Sequence, residues 1–332
     1  MPPDGVGSAK AAHQAAIFAR ANVVGVAVGN KVTGGRETDE RCIVVFVEAK
    51  RPEDELHRRD VVPKELGGVR TDVIETGRFQ ALRSAQTMDV DRMRRIRPAP
   101  GGVSIGHVRI TAGTLGVLAR RQGRSVILSN NHVLANSNAA DVGDPIVQPG
   151  PADGGRLQDT IARLADFVPI QFNERGLGPI GRLMERALSP LLAFAGLGLK
   201  RLPSGRTNLV DAAVAEPIDA GLVAPDILGI GRVSGMRDAD IGLRVRKSGR
   251  TTGTTEGRVT AIDAVVEVDY GGRTAIFREQ IVSDILSKGG DSGSLIVSEG
   301  GRAVGLLFAG GATTTLFNPI AAVAQFLDLS FE

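Results

Sequence analysis

The chain has 332 residues, 42% hydrophobic and 23% charged, enough for about two domains at roughly 150 residues each. Its net charge of +3 is small, acids and bases are interleaved and aromatics make up only 4%, which argues against a nucleic-acid surface built from a basic stripe with stacking rings. A single cysteine, Cys42, excludes an internal disulfide, and no window approaches 18 uninterrupted apolar residues; the expectation is a soluble, cytoplasmic protein without membrane contact.

Residues 8–20 are alanine-rich and helix-compatible. Val23 to Val28 reads as a strand, Gly34-Gly35 as a turn, and Ile43 to Val47 as a second strand, with Cys42 opening that apolar run as a buried, inert thiol. Pro52 to Arg59 predicts a short helix with proline near its first turn, and Val69 to Ile74 a third strand. Residues 1–80 therefore form one small α+β domain. Residues 81–100 mix charges, including Arg92, Arg94, Arg95 and Arg97, with Pro98 and Pro100, and are read as a solvated linker.

From Gly101 the texture changes. Short runs, Ser104 to Thr111, Gly116 to Ala119 and Ser125 to Ser129, are separated by glycine, a spacing that favours a β-barrel or sandwich over a βαβ fold. Residues 150–206 depart from it and are read as an insertion. Within it Pro179 to Lys200 is apolar and helix-compatible, broken at Pro190, and suits a helical pair or a lid over a cleft. Strands resume at Leu209 and continue to Phe308. Ile320 to Leu329 carries a helical apolar pattern.

Three segments carry chemistry. In Gly289-Gly290-Asp291-Ser292-Gly293-Ser294 a serine stands in a glycine-rich turn before the apolar run Leu295 to Val297. A serine hydroxyl becomes a nucleophile only when a base can reach it and backbone N–H groups can hold the developing oxyanion. Gly290 and Ser292 are the candidate donors. Alone, a plain β-turn explains this segment equally well. In Ser125 to Leu134 a histidine, His132, ends an apolar strand, where a side chain reaches a cleft; neutral imidazole can take and return a serine proton. His107, by contrast, lies within a strand and reads as packed or surface. In Asn208 to Ala215 one carboxylate, Asp211, sits in an apolar run and needs a partner if buried. An imidazole N–H would serve, although a turn aspartate is the bland alternative. The chain order His, Asp, Ser is that of the chymotrypsin arrangement.

With these residues in view, the chain resembles the trypsin/chymotrypsin-like serine peptidases. Ser129 to Ala135 resembles the histidine motif of bacterial members, Val210 to Ala215 their Asp-bearing strand and Gly290 to Ser294 their serine motif. Gly249 to Gly253 looks like the start of the second barrel's hairpins, and Gly305 to Gly310 like the strand lining the specificity pocket. The resemblance runs from about 101 to 321, outside 150–206. It implies a mainly β fold of two antiparallel barrels, chymotrypsin-like, preceded by the small α+β domain: barrel one at about 101–225, barrel two at about 226–320 and a C-terminal helix at 320–329. It implies an intracellular serine endopeptidase acting through His132, Asp211 and Ser292, with Gly290 and Ser292 N–H groups as oxyanion hole and no cofactor. The N-terminal domain resembles one that precedes the peptidase in bacterial proteins related to the plant narrow-leaf peptidase.

Departures bear on specificity. Ser294 stands where most trypsins have glycine. The position six before the serine, often the pocket floor, is Leu286, which with Phe308, Ala309 and Gly310 implies a pocket for a small or apolar side chain; Asp284, two residues away, could instead serve a basic one under a shifted alignment. The expected partner is a polypeptide substrate, with self-association or a regulatory protein as further candidates. Two alternatives stay open: a catalytically silent scaffold or interaction module, and a peptidase held inactive by its extra domain or insertion.

Overall fold

The computed structural model describes residues 5–82, 92–173 and 207–331. The predicted helical pair from Pro179 to Lys200 lies outside the described residues.

A helix, Gly5–Phe18, covers strands β1 (Val23–Thr33), β2 (Arg36–Val47), β3 (Glu65–Leu66) and β4 (Val69–Glu75). Ile17 and Phe18 on the helix and Val26, Ile43 and Val45 on the strands bury against one another, each such side chain contributing about 1.5–3 kcal/mol. Cys42 is fully buried, and that burial, with the nearby Asp72 charge, pushes its thiol up to about 11, as expected of an inert thiol. Between β2 and β3 the predicted helix reduces to a single 3-10 turn, Glu53–Glu55, with no buried residue. The segment Pro52 to Arg59 has no apolar face to dock, so nothing holds a longer helix. A short strand β5 (Phe79–Ala81) follows.

The next strands are β6 (Ala99–Gly101), β7 (Ser104–His107), β8 (Gly113–Thr114), β9 (Val117–Arg121), β10 (Arg124–Ser129), β11 (Pro145–Val147), β12 (Thr160–Phe167), β13 (Ala213–Pro217) and β14 (Val223–Ile227). One antiparallel sheet runs β9-β10-β13-β12-β11-β7-β8. Because β8 leads into β9 with only Leu115 and Gly116 between, the two ends of this sheet meet and the first barrel curls around Ile105, Leu115, Ile127, Leu164 and Ala213.

The second barrel is β15 (Arg244–Gly249), β16 (Gly253–Asp269), β17 (Thr274–Ser283), β18 (Leu295–Ser298), β19 (Ala303–Gly310) and β20 (Thr315–Pro319). Their order β15-β18-β19-β20-β17-β16 closes through a further β15–β16 pairing. The helix Ile320–Leu327 and strand β21 (Leu329–Ser330), which pairs with β9, strap the barrels together. Val117, Leu128 and Val214 from the first, Leu295 and Leu306 from the second and Val323 and Leu327 from the helix share one core. The fold is mainly β, a chymotrypsin-like double antiparallel barrel.

Two features correct the sequence reading. Residues 150–167 are not insertion: β12 sits between β11 and β13 as an integral strand, with Ile161, Ala162 and Leu164 inward. Nor are residues 92–100 a solvated linker. Arg92 is buried and donates to Gly102 O (3.1 Å) and Ser248 Oγ (2.6 Å), Arg97 donates to Gln148 O (2.9 Å), and β6 pairs in parallel with β14.

The N-terminal strands are continuous with the second barrel. β1 pairs antiparallel with the outer half of the long strand β16, Gly25 opposite Val266 and Gly29 opposite Ala261. β16 changes register near Asp263, a residue at φ +51, and Lys10 of the first helix reaches that carboxylate at 2.6 Å. Bulges bend and twist a strand, and here the bend carries one sheet out of the barrel and into the N-terminal unit.

Candidate active site

His132 lies on a short helical turn, Asn131–Leu134, that begins as β10 ends. Asp211 stands just before β13, which pairs with β10, Ser129 opposite Ala213. This register sets carboxylate against imidazole. His132 Nδ1 lies 2.6 Å from Asp211 Oδ2, and the His132 backbone N–H donates to Oδ1 at 3.2 Å. Asn130 fixes the other side, its amide donating to Asp211 O at 2.6 Å. Asn318 Oδ1 accepts the Asp211 N–H at 3.1 Å, and Asn318 is held in turn by Gln280 at 2.7 Å.

Asp211 is fully buried, so each contact acts in a low dielectric where hydrogen bonds to a charge are strong. A further donor comes from the second barrel: the Tyr270 hydroxyl gives a 2.8 Å hydrogen bond to Oδ2. Burial, then the Asp211 charge, pushes the Tyr270 phenol well above its ordinary range, so it stays protonated and donating. The Tyr270 ring meets the His132 ring edge to face, centroids 5.8 Å apart.

Ser292 sits in the turn between β17 and β18. Gly290 at φ +100 and Gly293 at φ +93 adopt backbone that L side chains rarely take. A Cβ on Gly293 would also strike Ser129 Oγ and the Thr114 carbonyl. The Thr114 N–H donates to Ser292 O at 2.8 Å and Thr114 Oγ1 to Gly290 O at 2.8 Å. The serine turn of the second barrel is thereby seated on the first, beside Ser129 and hence the residues leading to His132. Asp291 points inward and fastens the turn: its carboxylate accepts N–H bonds from Thr251 (2.8 Å), Thr252 (3.1 Å) and Lys288 (2.9 Å), and pairs with Lys247 at 3.3 Å. Ser294 donates to Asp291 O at 2.6 Å, a role glycine could not fill.

The Ser292 hydroxyl donates to Phe308 O at 3.1 Å, while among the described residues His132 Nε2 has no hydrogen-bond partner. Hydroxyl and imidazole are therefore not paired in this state. The Gly290 N–H is engaged as well, donating to Leu82 O at 3.1 Å.

The expected pocket residues divide. Ala309 and Gly310 lie on the strand edge that receives β5. Phe308 contributes its carbonyl, but its ring turns into the core against Phe277, centroids 4.7 Å apart. Leu286 is not a pocket floor: it is 57% exposed. After β17 the chain still alternates, so Ile285 turns inward and Asp284 and Leu286 outward. Asp284 accepts the Arg258 N–H at 2.6 Å on the surface, away from any basic pocket. His107 is packed, buried between Asp144 (2.9 Å) and the Arg109 N–H (3.1 Å). Sequence reasoning missed Tyr270 and Leu82. The signal for the first was that a buried carboxylate with two oxygens needs more than one partner.

No family model matches the chain. Similar solved structures are serine proteases. Cellulomonas bogoriensis chymotrypsin is 17% identical, with 70% of this chain covering 98% of that one at a TM-score of 0.42. Thermobifida fusca protease A is 18% identical, at 70% and 98% coverage and a TM-score of 0.44. A Nocardiopsis protease is 18% identical, at 70% and 100% and 0.44. At these values the likenesses carry no weight for the chemistry, which rests on the side chains.

Proposed function

We propose that the chain is a serine endopeptidase in which His132, Asp211 and Ser292 act as a catalytic triad. The observation that carries this reading is the 2.6 Å contact of His132 Nδ1 with the buried Asp211 carboxylate, which leaves Nε2 as the ring nitrogen without a hydrogen-bond partner among the described residues. A carboxylate on Nδ1–H fixes the tautomer in which Nε2 accepts a proton, and it stabilises the imidazolium that results. Ser292 Oγ attacks the substrate carbonyl as its proton passes to Nε2. The carbonyl oxygen, now anionic, is held by the N–H groups of Gly290 and Ser292. The imidazolium then protonates the leaving amine, and water hydrolyses the acyl-enzyme by the reverse transfer. None of these steps calls for a cofactor. The proposed setting is cytoplasmic, supported by the single, buried cysteine.

A second reading, a silent interaction module, is favoured by one observation: Ser292 bonds to Phe308 O rather than to the imidazole. The two poses of the serine differ by a rotation about one side-chain bond, so the resting pose is equally that of a latent enzyme. The deciding experiment is labelling with a fluorophosphonate probe. Wild-type protein labelled at Ser292, with Ser292→Ala and His132→Ala each losing labelling on the order of 10⁴-fold or more, supports the triad. A folded chain that never labels, even when freed of restraint, supports the module.

A further inference from the structure

We infer that Phe79–Leu82 occupies the acyl side of the substrate cleft as a tethered substrate mimic, and that the pocket it fills selects a leucine-sized aliphatic side chain before the scissile bond. This inference rests on the peptidase reading and names its substrate class and its restraint.

The segment lies against β19 as an antiparallel strand, Gln80 opposite Gly310 and Ala81 opposite Ala309. One residue further on, the Leu82 N–H donates to Phe308 O at 3.4 Å, and the Leu82 carbonyl accepts the Gly290 N–H at 3.1 Å. Phe308 O is also the acceptor of the Ser292 hydroxyl. The backbone thus runs along the cleft until one carbonyl meets the proposed oxyanion donor beside the nucleophile. An acyl group awaiting attack must be held in this way, because the donor has to lie where charge develops. Main-chain pairing to an open strand edge supplies affinity and leaves selectivity to the side chains.

Leu82 is the side chain at the selective position. It packs against the apolar cluster of Val245, Ile285 and Leu307, and its Cδ2 lies 3.5 Å from where a Cβ would stand on Gly310. The polar groups nearby are satisfied: Ser287 Oγ bonds Thr315 Oγ1 at 2.6 Å, and Thr315 donates on to Ile285 O at 2.6 Å. Asp284 is turned to the surface, so a lysine or arginine buried there would not have its charge to compensate it.

The occupant is anchored from the N-terminal side. β5 also pairs in parallel with β16, Phe79 beside Val268, and the Phe79 ring packs edge-on against Phe46 of β2 at 5.8 Å. Such tethering gives the segment an effective concentration that free peptides must outcompete.

The test compares two fluorogenic peptides, Phe-Gln-Ala-Leu and Phe-Gln-Ala-Arg amides, on the full chain as wild type, Leu82→Asp and Leu82→Gly, with fluorophosphonate labelling of all three. The expected result is a kcat/KM at least tenfold higher for the leucine peptide in every form. Both substitutions should lower its KM about tenfold at unchanged kcat and speed labelling, as removal of an internal competitor does. The glycine variant serves if the aspartate variant does not fold. Labelling at Ser292 with no leucine preference, or with a KM unmoved by either substitution, overturns the inference and leaves the peptidase standing. Absence of labelling in all three folded forms overturns the peptidase reading itself, and this inference with it.

Discussion

Tyr270 donates its hydroxyl to Asp211 Oδ2 at 2.8 Å, the same oxygen that holds His132 Nδ1. The chain's only tyrosine thus joins the second barrel to a carboxylate delivered by the first. Removing the hydroxyl takes one donor from a fully buried carboxylate and loosens the geometry in which it holds the imidazole. Tyr270→Phe is expected to lower kcat/KM roughly 5–30-fold, the equivalent of about 1–2 kcal/mol for one hydrogen bond to a charge. The loss should fall on kcat rather than on KM. A folded Tyr270→Phe variant with the wild-type kcat would contradict this role.

Gly293→Ala is expected to abolish probe labelling while the barrels still form. The residue holds φ +93, and an added Cβ meets Ser129 Oγ and the Thr114 carbonyl, the second being backbone that cannot step aside. Left-handed backbone costs a non-glycine residue about 1–2 kcal/mol before any clash. The displaced atoms are those that seat the serine turn on the first barrel. Far-UV circular dichroism like that of the wild type with no labelling at Ser292 is the expected pair of readings; normal labelling would contradict it.

The three candidate catalytic residues were legible because each breaks a local pattern. His132 ends an apolar run, Asp211 interrupts one, and Ser292 stands among glycines whose φ no other residue favours. Tyr270 was not, since its partner lies 59 positions earlier and a tyrosine before Gly271-Gly272 reads as an ordinary strand end. Leu82 was hidden differently. It stands near the start of the segment 81–100, whose charges and prolines suggested a linker, and only the register of β5 on β19 gives it meaning. In β12, Ile161 and Ala162 are adjacent and both buried, and the register shifts again between Leu164 and Asp166, so no period of two shows in the sequence. The barrels themselves were readable from short strands punctuated by glycine. That the N-terminal strands extend the second barrel was not, because β16 pairs with β15 over one half and with β1 over the other, and nothing local records the change of neighbour.

Asp144 gives an acid-sensitive contribution to stability. Its hydrogen bond to His107, then that from the Asp141 N–H, holds its carboxyl below the usual carboxylate range. A depressed folded value means stabilisation present above the unfolded pKa near 3.9 and lost as pH falls through the folded one. Asp144→Asn should therefore lower Tm by roughly 1–2 °C at pH 7, the shift that about 1 kcal/mol produces in a chain of 332 residues. The gap to wild type should close as pH drops below about 4. A deficit constant from pH 7 to pH 3 in thermal melts would refute this account.

Lys247 and Asp291 form an ion pair with neither side chain exposed. Burial lowers the lysine's pKa, and the Asp291 charge opposes that shift, so each partner tolerates burial only because the other is there. Lys247→Met removes the counter-charge and leaves a buried carboxylate, a change that typically costs about 3–5 kcal/mol. Asp291 retains its N–H donors from Thr251, Thr252 and Lys288, which sets the loss toward the lower figure. Since Asp291 lies between Gly290 and Ser292, the substitution should also slow probe labelling. Urea titration is expected to give a lower midpoint. Adding Asp291→Asn should recover part of the midpoint at pH 7, because the amide oxygen still accepts the Thr251 and Thr252 N–H groups without a charge to compensate. A double variant no more stable than Lys247→Met alone would show that hydrogen bonding, not the buried charge, sets the cost.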